Sequence, residues 1–285
     1  MVAAAVLPAP HDVPTTLNYY TPIGDDSEPP FTYAIDPPPG VPTSNYGQDP
    51  HPTIIHDVRG KEDTVSLDKT GFQFVKHVSE EKDFLDEDRI KSVYYKEVEA
   101  LLKKETGAKR VFIFGHAIRR NYANDDPTKT GANQYRGPIE NVHVDQTFEA
   151  SVERVHRHLK DEAERLLKSR VRLINVWRPI GHPVAHHPLA VADWRTLDVD
   201  HDLVPIRYIY PDRVGATYRV KYNPQLRWNY MSEQTPDEVT LIKCFDSDTD
   251  KARLAPHTAF LDASSPKSAP PRQSIEVRTL VFDSE

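Results

Sequence analysis

Three side chains of this 285-residue sequence have the chemistry of a metal-ligand set: His143 and Asp145 in Asn141-Val142-His143-Val144-Asp145, and His257 in Pro256-His257-Thr258-Ala259-Phe260. Residues two apart in an extended strand leave on the same face, so the imidazole and carboxylate of a His-x-Asp pair can meet one ion. Two imidazoles and a carboxylate suit iron in its ferrous state, and placed on one face of an octahedron they leave positions open for other ligands. The pair alone carries little weight, because a chain with 13 histidines is expected to contain such a triplet by chance. An exposed His and Asp at a strand end is the plain alternative. Among later histidines, His156 and His158 fall on a charged helix, and His182, His186 and His187 fall in a Pro/Gly-rich loop. His257 differs in opening an apolar strand that is followed by a strand carrying basic residues.

In that last strand Arg272, Ser274, Glu276 and Arg278 share one face, with Ile275 and Val277 on the other. An arginine pointing into a barrel needs an anion, and a guanidinium fork beside a hydroxyl is a good carboxylate receptor. A solvent-facing polar strand with Glu276 paired to Arg278 accounts for the same pattern. In Asn175-Val176-Trp177-Arg178-Pro179, Arg178 could bind a substrate carboxylate, or it could be buried against an acid such as Asp193. The sequence has no Gly-rich phosphate loop, Gly-x-Ser-x-Gly elbow, Cys-x-x-Cys pair or His-Glu-x-x-His helix. Cys244 lies in an apolar strand, where a thiol is inert filling.

The elements that would position these groups follow from periodicity. Gly71 to Val78 alternates as a half-buried strand does. A helix is expected over about Glu81 to Glu105, with Val93, Tyr94, Val98, Leu101 and Leu102 at helical spacing and Gly107 as its stop. Val111 to Phe114 reads as a strand and Phe148 to Lys168 as a second helix. Strand signals then recur at Val171–Trp177, Leu203–Tyr210, Thr217–Tyr222, Val239–Phe245, His257–Leu261 and Ser274–Phe282. Many short strands and two long helices predict a mainly β protein, an antiparallel barrel or jelly roll braced by helices. Of the 25 prolines, 12 fall in the first 52 residues. That composition makes a poor helix and a poor central strand, so residues 1–55 are expected to be a Pro-rich extended arm packed on a single domain, 56–285. Its aromatics Tyr19, Tyr20, Phe31, Tyr33 and Tyr46 would supply the packing.

Composition narrows the function classes. A formal charge of -7 and the lack of a long Lys/Arg run argue against nucleic acid and for a small-molecule partner. No segment approaches the roughly 18 apolar residues of a membrane span. The N-terminal Ala/Val run lacks a basic flank and is cut by Pro8 and Pro10, unlike a signal peptide. One cysteine fits a reducing compartment, with the cytoplasm as default.

With these residues laid out, the chain resembles the fungal hydroxylase/desaturase family of secondary-metabolite oxygenases, related to gibberellin desaturase and to a cephalosporin methoxylation protein. The resemblance runs from Asp57-Val58-Arg59-Gly60-Lys61-Glu62 and Gly71-Phe72-Gln73-Phe74-Val75-Lys76-His77, through Val142-His143-Val144-Asp145, Asn175-Val176-Trp177-Arg178-Pro179 and Thr235-Pro236-Asp237-Glu238, to Pro256-His257-Thr258-Ala259-Phe260 and Arg272-Gln273-Ser274-Ile275-Glu276-Val277-Arg278. It implies a double-stranded β-helix, a cupin-like jelly roll, in which His143, Asp145 and His257 bind Fe(II). It further implies 2-oxoglutarate and O2 as cosubstrates, with the far carboxylate of 2-oxoglutarate reaching Arg272 and Ser274; Arg278 on the same strand face is the runner-up. The implied reaction abstracts hydrogen from an unactivated C–H bond and ends in hydroxylation or desaturation. Tyr135, Arg136, Arg178 and Trp228, beside these motifs, are the candidate substrate contacts. The rival expectations are a non-catalytic jelly-roll binding protein and a metal-dependent hydrolase or isomerase on the same barrel. Monomer and homodimer are both compatible with the sequence.

Overall fold

The computed structural model describes residues 11–24, 27–120 and 137–285. Their strands fall into two sheets. The larger combines β1 (Val13–Pro22), β2 (Phe31–Tyr33), β3 (Tyr46–Asp57), β6 (His143–Val144), β8 (Leu189–Ala192), β9 (Leu203–Ile209), β10 (Val214–Val220), β11 (Trp228–Tyr230) and β13 (His257–Ala259), in the order β1-β3-β11-β8-β13-β6-β10-β9-β2. The smaller has the order β4-β12-β7-β14-β5, from β4 (Phe72–Lys76), β5 (Arg110–Arg120), β7 (Val171–Pro179), β12 (Glu238–Asp246) and β14 (Gln273–Phe282). The two curled sheets pack face to face as a double-stranded β-helix. Val191 and Met231 of the larger-sheet side meet Phe72, Phe74, Trp177 and Ile242 of the smaller sheet in the space between.

The outer face of the smaller sheet is closed by helices. After a short α1 (Glu87–Arg89) and a π-helical turn Ile90–Tyr94, α2 (Tyr95–Thr106) buries Val98, Leu101 and Leu102 against Ile174, Val176, Leu241 and Val277. Gly107 ends it in the left-handed region at φ 70°, as its position predicts. The helix starts later than expected because Glu81 is buried and accepts the backbone N–H of Phe84 at 2.8 Å and Nε of Arg89 at 2.5 Å. Asp86, whose carboxylate accepts the N–H groups of Asp88 and Arg89, is the true cap. The second expected helix is α3 (Phe148–Leu159). At Lys160, with φ 43°, the chain breaks and re-enters through a 3-10 turn into α4 (Ala163–Leu166), keeping Leu159, Ala163 and Leu166 in one core cluster. A last short helix, α5 (Val199–Asp202), leads into β9.

The Pro-rich segment, expected as an extended arm packed on the core, supplies β1, β2 and β3 of the larger sheet, with Leu17, Tyr19 and Ile55 buried. Its prolines fit because of where the ladders run. β1 pairs with β3 and otherwise makes one isolated bridge, Asn18 to Asn141, and β3 reaches its second neighbour β11 only at Ile55–Asp57, so Pro50 and Pro52 have a strand on one side alone. A missing N–H is tolerated on such an edge.

Candidate metal centre

Strand pairing brings the metal-ligand candidates together. His143 of β6 and His257 of β13 are direct cross-strand partners, and Asp145 follows two residues after His143. Among the described residues, one ligand atom from each of His143, Asp145 and His257 lies within 4.8 Å of the others. The Oδ1 atom of Asp145 stands 3.5 Å from Nε2 of His143 and 3.8 Å from Nε2 of His257.

The tautomers follow from the second nitrogen of each ring. Nδ1 of His143 is 2.7 Å from the carbonyl oxygen of Asn141, and Nδ1 of His257 is 3.1 Å from that of Ala255. A carbonyl only accepts, so each Nδ1 carries the proton and each Nε2 presents a lone pair. Nε2 of His257 is buried with no hydrogen-bond partner, an arrangement that costs free energy unless something binds there. Burial, and then the neighbouring His257, hold the His143 imidazole down to about 4, so it is neutral. Burial opposes charge on Asp145 as well, but the facing His143 and His257 rings outweigh it and hold the carboxylate well below its usual range. His257 is also opposed by burial, and the Asp145 carboxylate raises it nonetheless. Two imidazole lone pairs and one carboxylate around a buried orphan nitrogen fit Fe(II) as a donor set.

The inner wall opposite comes from the smaller sheet. Arg278 and Glu276 of β14 lie across from Asn175 and Trp177 of β7, and Ile275 and Val277 point out toward α2. Arg272, just before β14, is buried. Its Nη1 donates to the His187 carbonyl at 2.7 Å, its guanidinium lies 5.6 Å from the Trp177 ring, and its Nε has no partner. It has no carboxylate within ion-pair reach among the described residues, and burial followed by the charge of Arg119 pushes its pKa down to about 9. A buried guanidinium in this condition is a receptor for an anion. Ser274 is buried beside it, in register with Arg119 of β5. Sequence reasoning missed Arg119; its one signal was a basic end to an apolar strand.

Of the substrate candidates, Tyr135 and Arg136 lie outside the described residues. Arg178 is not in the cavity. It points to the outer face of β7, where Nε donates to the Tyr94 hydroxyl at 3.0 Å and Nη1 to the carbonyls of His77 at 2.8 Å and Pro236 at 2.5 Å. The π-helical turn carries Tyr94 to that contact. Asp193, the acid considered for it, pairs with Arg195 instead. We expect Arg178→Met to lower stability by about 2–4 kcal/mol by leaving buried acceptors unpaired. Urea unfolding would measure this, and the folded fraction should keep its 2-oxoglutarate affinity. Trp228 is also on the wrong face. It pairs with Ala192 and packs with Leu17 and Ile55, its Nε1 donating to the Tyr19 hydroxyl at 2.9 Å. Asn229 is the residue in register with Val191, which is in register with His257, so the inward-facing position is one step along.

A second missed residue is Asn175. Its Nδ2 donates to Oδ2 of Asp145 at 2.6 Å, and the signal was an amide in the middle of an otherwise apolar run.

Comparison with known proteins agrees with this geometry. The family described as "Oxidoreductase/YMDC permease-like domain" matches residues 17–282. The Fe(II)/2-oxoglutarate-dependent dioxygenase nvfI of Aspergillus novofumigatus is 34% identical over 257 residues, covering 88% of this chain and 90% of that protein. The hydroxylase/desaturase efuI of Hormonema carpetanum is 34% identical over 301 residues, covering 99% and 98%. Among solved structures, the iron and alpha-ketoglutarate-dependent endoperoxidase NvfI superposes with a TM-score of 0.81 at 31% identity, over 96% of this chain and 99% of that one. No helix among the described residues is long and apolar enough to cross a membrane.

Proposed function

The chain belongs to the hydroxylase/desaturase family of Fe(II)/2-oxoglutarate-dependent oxygenases, and on that premise we propose that His143, Asp145 and His257 hold its iron while Arg272 and Ser274 receive the far carboxylate of 2-oxoglutarate. The enzyme hydroxylates or desaturates a small-molecule intermediate of secondary metabolism. Neither a non-catalytic binding role nor hydrolysis is favoured by relatives so named.

When bound, Fe(II) with 2-oxoglutarate and O2 supplies the oxidising power to remove hydrogen from an unactivated C–H bond, and 2-oxoglutarate leaves as succinate and CO2. The protein's own contribution is geometry. The carbonyls of Asn141 and Ala255 accept from Nδ1 of both imidazoles and so hold each ring with Nε2 toward the shared site. Arg272 and Ser274 fix the cosubstrate from its far end, so that its other end is presented to the ligand set in one orientation. Trp177, Val191 and Ile242 wall the space between the sheets with apolar surface and exclude water.

The observation that carries the assignment is the buried Arg272, with an orphaned Nε and no acid in ion-pair reach among the described residues, beside the two-histidine, one-carboxylate cluster that gathers on the larger sheet. Arg278 fits the far carboxylate less well. It lies across from Asn175, the residue bound to Asp145. Six residues of strand, about 20 Å, separate its backbone from that of Arg272. A diacid chelated at one end needs its second receptor away from the metal. A monomer or homodimer in the cytoplasm completes the reading, supported by a single buried thiol.

The test is Fe(II)-dependent release of succinate from 2-oxoglutarate under air, with ascorbate and no added organic substrate. A slow release in wild type and none in His143→Ala is expected. Equal release from both proteins, or none from either in iron-loaded samples, would remove the oxygenase reading.

A further inference from the structure

Asn175 sits where an amide has no reason of stability to be. All nine residues of β7 are buried, Asn175 itself is fully buried, and its cross-strand neighbours on the inner face are Ile242 and Arg278. Its Oδ1 has no hydrogen-bond partner, a condition that destabilises a fold by about 1–3 kcal/mol. An apolar residue of the same volume would avoid that loss. What the amide does make is one short bond, 2.6 Å from Nδ2 to Oδ2 of Asp145, reaching from the smaller sheet across the cavity to the segment that follows β6.

That bond divides the work of the Asp145 carboxylate. Oδ2 is held by the amide, and Oδ1 is the oxygen that faces both Nε2 atoms. A carboxylate with one oxygen so engaged is held against turning about its terminal bond to present both. It therefore offers a single oxygen to an ion shared with His143 and His257, and leaves the remaining positions for cosubstrate and O2. Asn175 acts through Asp145, so it is a positioning residue.

We infer that Asn175 fixes Asp145 as a one-oxygen ligand and so sets the affinity and the coordination of the metal centre; the inference rests on the iron reading above. Ligand carboxylates are commonly hydrogen-bonded in this way, and loss of such partners lowers metal affinity about 10- to 100-fold.

The experiment is an anaerobic titration of the apoprotein with Fe(II) alone against a competing chromogenic chelator, repeated with Co(II) to record its visible absorption. Asn175→Leu, matched in branching and heavy-atom count, and Asn175→Ser, smaller and polar, are compared with wild type and with Val176→Ala. Val176 neighbours Asn175 in sequence but packs on the outer face, so its truncation is a packing lesion that leaves Asp145 untouched. Both Asn175 variants should bind Fe(II) about 10- to 100-fold more weakly and give an altered Co(II) spectrum. Val176→Ala should do neither, even with a lower thermal midpoint. Wild-type affinity and spectrum in either folded Asn175 variant would overturn the inference, as would a loss of equal size in Val176→Ala. His143→Ala separates the two levels. If it binds Fe(II) as wild type does, the iron reading itself has failed; if it loses the metal while Asn175→Leu keeps it, only the role of Asn175 has.

Discussion

Apoprotein carrying His257→Ala should bind Fe(II) at least about 100-fold more weakly than wild type, since loss of a ligand exceeds the 10- to 100-fold typical of its supporting contacts. The imidazole is almost completely buried, its Nδ1 is committed to the Ala255 carbonyl, and its Nε2 has nothing to bind except what Asp145 and His143 bind with it. Anaerobic addition of Fe(II) and then 2-oxoglutarate should give wild type the weak visible charge-transfer band of a chelated keto acid. That band should be absent in His257→Ala and in His143→Ala. A full-strength band in either variant would mean that the cluster is not the chelation site. Truncation of His257 also relieves an orphaned nitrogen, so the variant's apoprotein should unfold no more readily than a core cavity of imidazole size requires.

The second large effect is on the cosubstrate alone. Arg272→Met should weaken 2-oxoglutarate binding by about 3 kcal/mol, roughly 100-fold or more, the scale on which a buried charge pair is lost. Iron affinity should be unchanged, because no ligand contacts Arg272. The sign of the stability effect is a further check. Arg272 is buried with one carbonyl as its hydrogen-bond partner and Arg119 as a like-charged neighbour, so its charge destabilises the empty protein. Replacement by methionine should leave the thermal midpoint of the apoprotein unchanged or raise it. Conversely, 2-oxoglutarate should raise the midpoint of iron-loaded wild type by mass action and that of Arg272→Met little at the same concentration. Arg278→Met should change 2-oxoglutarate affinity much less, since it stands across from Asn175, the residue bound to Asp145. A larger loss in Arg278→Met than in Arg272→Met would exchange the two assignments.

Where the sequence was informative, a local rule was sufficient. The two-residue spacing of His143 and Asp145 decides that they can share a face, and the alternation through Arg272, Ser274, Glu276 and Arg278 decides which side of β14 is polar; both are fixed by strand geometry alone. The stop at Gly107 and the apolar stripe of α2 follow from helix periodicity in the same way. Pairing partners and depth were beyond such rules. His257 becomes the neighbour of His143 only because β13 and β6 are adjacent in the larger sheet, a contact between segments far apart in sequence. Trp228 and Asn229 have opposite faces, and only the register of β11 against β8 decides which of them looks inward, because a slip of one residue exchanges them. The prolines of β1 and β3 discouraged a strand reading that edge position makes acceptable. β7 is buried on both faces, so its sequence carries no alternation from which to tell Arg178, bound outward by Tyr94 and His77, from Asn175, bound inward to Asp145. Periodicity along one strand therefore determined which residues travel together, and only the packing of the second sheet decided what each of them meets.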